Sequence, residues 1–397
     1  MRSITYEQFY EENKDYTIDI CKECNSKLEL VLKKYEIEID MRTLIIEDFP
    51  QLECQSCGKK FLSEHSKKIV AEGYYELLRR GNTKVISKPR NLNKRYSFCE
   101  EINFKYDYRD YDNIPGLRAL MGDGFLAPVF FNKECLIYFM HHPEYTLSIF
   151  SETYGVLGYK DEFEIPFGIN TNKKVVFWLG DLDKLDSATQ NYLKINNIES
   201  DHRIIDSEFY DAQLKVIWSD PIIERQIINL RNKMYDTLKQ KHSLDLHHLD
   251  KEVINEIENI NKPITYSDLE VKPVISALHK ILIEAVNISN FKNYYENNVG
   301  KKDKNYKQWK SIKYYQFILS QYISDEDELR KIIAPLYLLN DLRIIYFHLV
   351  STDEVEKLKN NIVSSLSINR FDETEIMYNK LMEGLKALFV KFNEVIE

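Results

Sequence analysis

The spacing of apolar positions divides the chain into three textures. From Lys272 onward, Ile275, Leu278, Leu282 and Ala285 recur at three- and four-residue steps, the period of a helix with one buried face. Further helices are predicted near Tyr306 to Ile323 and near Asp325 to Ile333. Pro335 should then restart or kink the chain before another helix over Leu336 to Leu349. STDEVEK reads as a cap followed by an acidic first turn. The last helix, Asp372 to Val395, carries Leu381, Leu385, Leu388 and Phe392 along one side. Helices of this number and size make a bundle.

Residues 100 to about 220 read differently. FLAPVFF and ECLIYFM are short apolar runs, KKVVFWLG is a buried strand by length and β-branched content, and IPGL, GDG, TYGVLGY and PFGIN mark turns. Helices are expected near Ser187 to Asn196 and Glu208 to Leu214, and Pro221 opens the helical stretch PIIERQIINLRNKMYDTL. Nearer the amino terminus, LELVLKKYEIEIDMRTLIIED reads as two or three short strands. The expected organisation is multidomain α+β: an amino-terminal domain whose two CxxC pairs, Cys21/Cys24 and Cys54/Cys57, mark a zinc ribbon (1–78), a basic linker (79–98), a mixed α/β central domain (99–235), a connecting helical segment (236–271) and a helical bundle (272–397).

Composition narrows this picture. With 397 residues, 44% hydrophobic and 29% charged, the chain is globular and not disordered. No run approaches the length of a membrane span, and MRSITYEQFYEENKDY lacks the apolar core of a signal peptide, so a cytoplasmic location is expected. The net charge of −9 argues against a general nucleic-acid coat, but two segments are locally basic. RRGNTKVISKPRNLNKR holds seven basic residues and no acidic one. Between Asn290 and Lys313, seven lysines face only Glu296 and Asp303, interleaved with Tyr294, Tyr295, Tyr306 and Trp309. Lys301, Lys302, Lys304, Lys307, Trp309, Lys310 and Lys313 are candidate RNA contacts, the lysines for phosphate and the ring for base stacking. A solvated linker and an exposed helix face are the plainer readings.

Of six cysteines, four pair as CxxC: Cys21 with Cys24 and Cys54 with Cys57, with 29 residues between the knuckles. Two such knuckles fit a four-thiolate site selecting zinc or an iron centre, and closed coordination makes the metal structural. Gly58 suits the left-handed backbone of such a turn. Two disulfides are the alternative. Residues 17 to about 75, with both knuckles and FPQLECQSCGKKFLSEHSKKI, resemble the amino-terminal zinc domain of MqsA/YgiT-type antitoxins. The resemblance implies a structural zinc fold that docks a partner protein. No helix-turn-helix follows it here, so a DNA-binding role does not carry over.

In the central region, SDHRIIDSEFYD concentrates Asp201, His202, Asp206, Glu208 and Asp211, and GDLDKLD adds Asp181, Asp183 and Asp186. Together they could form a metal-dependent hydrolytic site, or they are acidic turns that cap helices. The adjacent pairs His141–His142 and His247–His248 point apart and chelate poorly. Cys99 and Cys135 are expected as buried small hydrophobes.

The segment DLRIIYFH sets Arg343 and His348 inside an apolar helical run, and a buried charge needs a partner. On an ideal helix, residues five apart differ by about 140° around the axis and about 7.5 Å along it, so no simple intrahelical pair is expected. Spread that way, they could meet a phosphate from two sides, particularly with a second copy alongside. RIIYFH resembles the arginine–histidine motif of the HEPN superfamily, and the resemblance spans about 270–397. It implies a metal-independent endoribonuclease with a composite site between two such bundles. By that implication His348 moves the proton of the attacking 2′-hydroxyl or of the leaving oxygen, and Arg343 stabilises charge on the phosphate. Ile344 stands where members often carry a polar residue. Asn340 and Asp341 are therefore expected to orient Arg343, and Tyr346 to line the site.

By resemblance to the HEPN superfamily, whose members commonly serve toxin–antitoxin, CRISPR-linked or anti-phage systems, the expectation is a nuclease with a bacterial defence or growth-arrest role, dimeric or higher through the bundle and regulated through the first two domains. A non-catalytic partner-binding protein with an inactive bundle is the rival, and the central metal hydrolase a third reading.

Overall fold

The computed structural model describes residues 2–13, 21–87, 95–112, 114, 123–205, 207–258, 260–299 and 305–397. The fold is mixed α/β, with sheets in the amino-terminal part and a helical carboxy-terminal region. The chain divides into two compact units, Met1–Asp220 and Pro221–Glu397.

The first unit holds two sheets. In the first, β1 (Arg2–Ile4), β2 (Leu28–Ile39), β3 (Arg42–Cys54) and β4 (Lys60–Phe61) lie in that order, and β5 (Lys84–Ser87) pairs with β3 in parallel. The two or three short strands expected here are two long ones. Asp40 and Met41 both adopt positive φ (46° and 61°), the backbone of a tight hairpin turn, so β2 and β3 run antiparallel almost end to end. A helix over Glu64–Arg80 follows, started by Ser63 accepting from the Ser66 amide and stopped by Gly81 at φ 68°.

The second sheet is antiparallel throughout, in the order β11-β6-β10-β9-β8-β7, with β6 (Pro128–Asn132), β7 (Tyr145–Ile149), β8 (Tyr154–Tyr159), β9 (Phe163–Ile169), β10 (Lys174–Trp178) and β11 (Asn197–Ile198). KVVFW is an interior strand, buried on both faces as its unbroken apolar run requires. ECLIYFM forms the helix Cys135–His141, and the helix Ser187–Asn196 forms where the pattern places it. One apolar core takes residues from both sheets: Ile39, Leu44, Phe49, Val70 and Tyr74 pack in the same cluster as Phe130, Val176, Trp178 and Phe209.

The second unit is helical. Its described helices are Ile223–His242, Asp250–Glu258, Asp268–His279, Ile288–Val299, Ser311–Ser320, Glu326–Phe347, Thr352–Leu366 and Thr374–Ile396. Pro335 neither ends nor restarts the helix in which it lies; Glu326–Phe347 runs through it. Its ring is received by Gly384 of the last helix, where a Cβ would lie 3.0 Å from Pro335 Cγ. Leu329, Ile333, Leu336, Leu339 and Leu342 bury one stripe of this helix. After His279 the preceding helix widens into a π turn over Lys280–Glu284, closed by the Ala285 amide on the Lys280 carbonyl at 2.7 Å. Among the described residues, no helix is long and apolar enough to cross a membrane.

Candidate functional site

The two cysteine knuckles are built alike. In each, the amide four residues after the first cysteine bonds back to that cysteine's carbonyl: Asn25 to Cys21 at 2.9 Å and Gly58 to Cys54 at 2.8 Å. Both closing residues are left-handed, at φ 55° and 71°. A second bond, from each first cysteine's amide to the carbonyl five residues on, completes the turn. The loops therefore aim their sulfurs inward without help from the rest of the fold. All four Sγ atoms lie within 4.8 Å of one another, with Cys21–Cys57 at 3.6 Å and Cys24–Cys54 at 3.3 Å.

Those separations are far beyond a disulfide bond of about 2.05 Å, and all four cysteines are free. They suit instead a tetrahedral thiolate site, whose sulfurs sit about 3.8 Å apart at a metal–sulfur distance of about 2.3 Å. The donor set thus fits an ion, held by Cys21, Cys24, Cys54 and Cys57. Four thiols this close do not titrate independently. Bonds from Ser26 and neighbouring sulfurs pull Cys24 down to about 6. Cys57 is pushed up to about 12: the Lys59 amide pulls it down, but burial and the other three sulfurs outweigh that.

The central acidic residues do not converge. Asp181 pairs with Lys184 at 2.6 Å, Asp183 accepts from the Cys99 amide, and Asp186 caps its helix through the Thr189 amide at 2.7 Å. Asp201 accepts from Asn170 and Asn172, Glu208 from Ser151 and Thr153, and Asp211 lies 3.5 Å from Lys215. His202 turns to Asp110 at 2.5 Å. Asp206 lies outside the described residues. Among those described, the four cysteines are the one cluster that could hold a metal, and each acid of the proposed hydrolytic set is taken by a local partner. Cys99 and Cys135 are buried, and burial raises both thiols.

In the helical unit, Arg343 and His348 meet. The wheel arithmetic that separates them holds only inside a helix, and the helix ends at Phe347. His348 is its C-cap, extended at φ −108° and ψ 145°, so its ring folds back and accepts at Nε2 from the Arg343 guanidinium. The expectation of no pair is thus overturned by the helix end. Arg343 also pairs with Glu284 Oε1 at 3.0 Å, its side chain 31% exposed. Glu284 is brought there by the π turn, which adds a residue to the ring and shifts the face presented. The same oxygen lies 3.2 Å from His279 Nδ1, though not aligned for a hydrogen bond, and His279 Nε2 reaches Asn340 Oδ1 at 3.3 Å. Burial lowers the His279 pKa; the Asn340 bond opposes this, and the Arg343 charge adds to it.

The expected orienting residues therefore have other tasks. Asn340 bonds to His279 and Asp341 accepts from Asn361 at 2.9 Å, while the hydrogen bond and ion pair of Arg343 go to His348 and Glu284. Glu284 takes that place. Tyr346 is half-buried below the Lys272 ammonium, 5.2 Å from its ring, and burial pushes its hydroxyl up to about 12. His279 and Glu284 went unread in the sequence, yet HKILIE sets them five apart in an apolar run, the same spacing as Arg343 and His348. Comparison with protein-family models, with curated proteins and with solved structures finds no match to this chain.

Beside the helix end, Phe347 joins Lys272, Lys280, Asp268, Glu256 and Ser276 around a groove of about 370 Å³. Both lysines are paired, Lys272 with Asp268 at 2.7 Å and Lys280 with Glu256 at 2.6 Å. In the lysine–aromatic segment, Trp309 packs edge-on to Tyr295 and Tyr314, and Tyr306 is stacked on Tyr295, so these rings pack against the helical core, Trp309 staying part-exposed. Lys307, Lys310 and Lys313 are exposed. Lys301, Lys302 and Lys304 lie outside the described residues.

Proposed function

We propose that the chain is a metal-independent endoribonuclease of the HEPN type, and that Arg343 and His348 are its working pair. The observation that carries the reading is the Arg343–His348 hydrogen bond at an open helix end, with Arg343 steadied by Glu284 from a second helix. Nε2 of His348 faces the Arg343 guanidinium, which can only donate, so it is the ring nitrogen placed to take a proton. When RNA binds, a guanidinium N–H leaves Nε2 for the scissile phosphate. That frees Nε2 as general base for the 2′-hydroxyl, while Arg343 stabilises the charge that builds on phosphorus oxygens. Direct attack by the 2′-oxygen breaks the P–O5′ bond and leaves a 2′,3′-cyclic phosphate and a 5′-hydroxyl. The leaving oxygen needs a proton, which His348 of a second copy supplies from its imidazolium form, ending neutral as the first ends protonated; Phe347 and Leu349, both exposed beside the site, offer an apolar surface for that copy. In this reading the amino-terminal ion is a structural zinc, and the first unit restrains the nuclease in a bacterial defence or growth-arrest setting until a partner or signal arrives.

The Glu284 contact also favours a second reading, in which Arg343 is spent on an ion pair and the bundle only binds a partner or dimerises. Incubation of a mixed RNA pool with the full chain in EDTA separates the two, with bound metal assayed alongside so that loss of the amino-terminal ion is seen. The nuclease reading expects products ending in 2′,3′-cyclic phosphate from the wild type and none from His348→Ala. Cleavage that survives His348→Ala would assign the activity elsewhere.

A further inference from the structure

Independent of the ribonuclease reading, the first unit carries a pocket that neither the cysteine site nor the central acids explain. It lies where the irregular segment 95–108 crosses the end of the helix Ser187–Asn196 and β11, and its volume is about 500 Å³. Arg95, Lys105 and Lys194 bring three cations to its wall, and Phe104, Tyr106 and Tyr108 bring three rings. We propose that this pocket binds a nucleoside triphosphate, its phosphates on Arg95, Lys105 and Lys194 and its base against the part-exposed Tyr106 and Tyr108.

Three cations share the wall with one carboxylate, Glu199, and this excess of positive charge is the first argument. Arg95 bonds to the Asn103 side-chain oxygen and Lys194 to the Asn103 backbone carbonyl, both neutral acceptors. Neither has a carboxylate partner among the described residues. Lys105 lies 3.4 Å from Glu199, but both side chains are well exposed, and such a pair is weak and easily exchanged for a phosphate. Burial, then the charges of Lys105 and Arg95, hold the Lys194 ammonium below the usual lysine range. A polyanion would relieve that repulsion.

The second argument is that the pocket is built. Asn197, itself buried, accepts from the Lys105 amide at 2.5 Å and donates to the Lys105 carbonyl at 3.1 Å and the Phe130 carbonyl at 3.0 Å. One side chain thus fastens the pocket-forming segment to the sheet. Phe104 is buried edge-on to Phe131, with the Lys194 ammonium 6.0 Å over its ring, and Tyr106 is backed by Tyr96 at 6.0 Å. Rings with cations beside them recognise a planar base joined to phosphate. The volume falls within the range of about 300–1,000 Å³ typical of small-ligand sites, and the cations converge on one place where a nucleic-acid strand would need a track of them.

The test is calorimetric titration of the full chain with ATP, GTP, CTP and UTP, beside adenosine, inorganic tripolyphosphate and a single-stranded RNA oligonucleotide. At least one triphosphate is expected to bind one per chain, at least about tenfold more tightly than either half-molecule. Arg95→Glu and Lys194→Glu should each weaken it by about tenfold or more, and His348→Ala should leave it unchanged. Arg95 is exposed, so its variant is the one that leaves packing intact, as an unchanged thermal melt will confirm. The proposal is overturned if no triphosphate saturates below about 1 mM, or if tripolyphosphate binds as well as the nucleotides. Binding that survives both variants, or that appears only with the oligonucleotide, overturns it equally.

Discussion

The four-cysteine site and the Arg343–His348 site are built on opposite plans. Each cysteine knuckle closes on itself through two backbone bonds and one left-handed residue, so the ligands are placed by a handful of neighbours. Four thiolates around one ion would complete a tetrahedral shell and leave no position open for a substrate. The arginine and histidine, by contrast, are placed by a helix end, and Arg343 is held by an acid from a helix about sixty residues earlier in the chain that arrives only through a π turn. That site is half-open and unfinished. A closed site made of local turns serves stability, while an open one made of distant side chains has room to do chemistry.

The largest effect expected from this contrast follows loss of the ion. Cys54 is buried, and Cys54→Ser, or exhaustive chelation, should abolish metal binding and lower the melting of the first unit by on the order of 10 °C, seen by calorimetry. A melt unchanged by either treatment would make the cluster ornamental. Next comes chemistry: His348→Ala should cut RNA cleavage by about 10²- to 10⁴-fold while leaving the melt almost untouched, because the ring is exposed. Glu284 sharpens the comparison. As a positioning residue it should tolerate Glu284→Gln, whose amide oxygen still accepts from Arg343, within about threefold in kcat, whereas Glu284→Ala should cost about tenfold. Equal losses in both variants would mean that its charge, not its grip, matters.

Smaller effects distinguish the two units by pH. In the first, burial would lower His202, but Asp110 and then Asp107 outweigh it and raise the pKa. Its contribution is complete below the unfolded value of about 6.5 and is lost as pH rises through the raised one. In the second, His279 is lowered by burial and by Arg343, against Asn340 and Glu284. Its contribution is present above about 6.5 and is lost as pH falls toward the lowered value. Stability differences between wild type and His202→Gln, and between wild type and His279→Gln, should therefore slope in opposite directions with pH. Each slope is at most about 1.4 kcal/mol per pH unit. Slopes of one sign would show that one of the two rings is misassigned. The least effect is expected from Gly384→Ala, where helix propensity gained offsets the methyl crowding Pro335, for a net loss of about 1 kcal/mol in denaturant melts.

The same contrast explains what could be read from the sequence. The cysteine spacing reports a turn that closes within five residues, so the knuckles were legible, as were the helix Ser187–Asn196 and the interior strand KVVFW, whose signals are equally local. Pro335 misled because a proline's cost is judged against an isolated helix, whereas here a facing glycine accepts its ring. The hairpin of β2 and β3 was read too short because polar positions such as Lys33 and Glu36 interrupt the apolar run, whereas the pairing resumes after a register shift between Lys33 and Tyr35. Arg343 and His348 were visible, but their contact depends on where the helix stops, and no spacing rule fixes that to a single residue. Glu284 and His279 were hidden for a related reason: a π turn changes which residues share a face, and its insertion leaves no compositional mark.

The most direct test of the account is a paired measurement on Arg343→Ala: thermal stability of the full chain and cleavage of RNA in EDTA. Arg343 is part-exposed and its ion pair lies near the surface, so the account predicts lost cleavage with a melting change of no more than about 2–4 °C. Cleavage at the wild-type rate, or a large fall in melting temperature before any activity is seen in the wild type, would contradict it and leave Arg343 a structural ion pair.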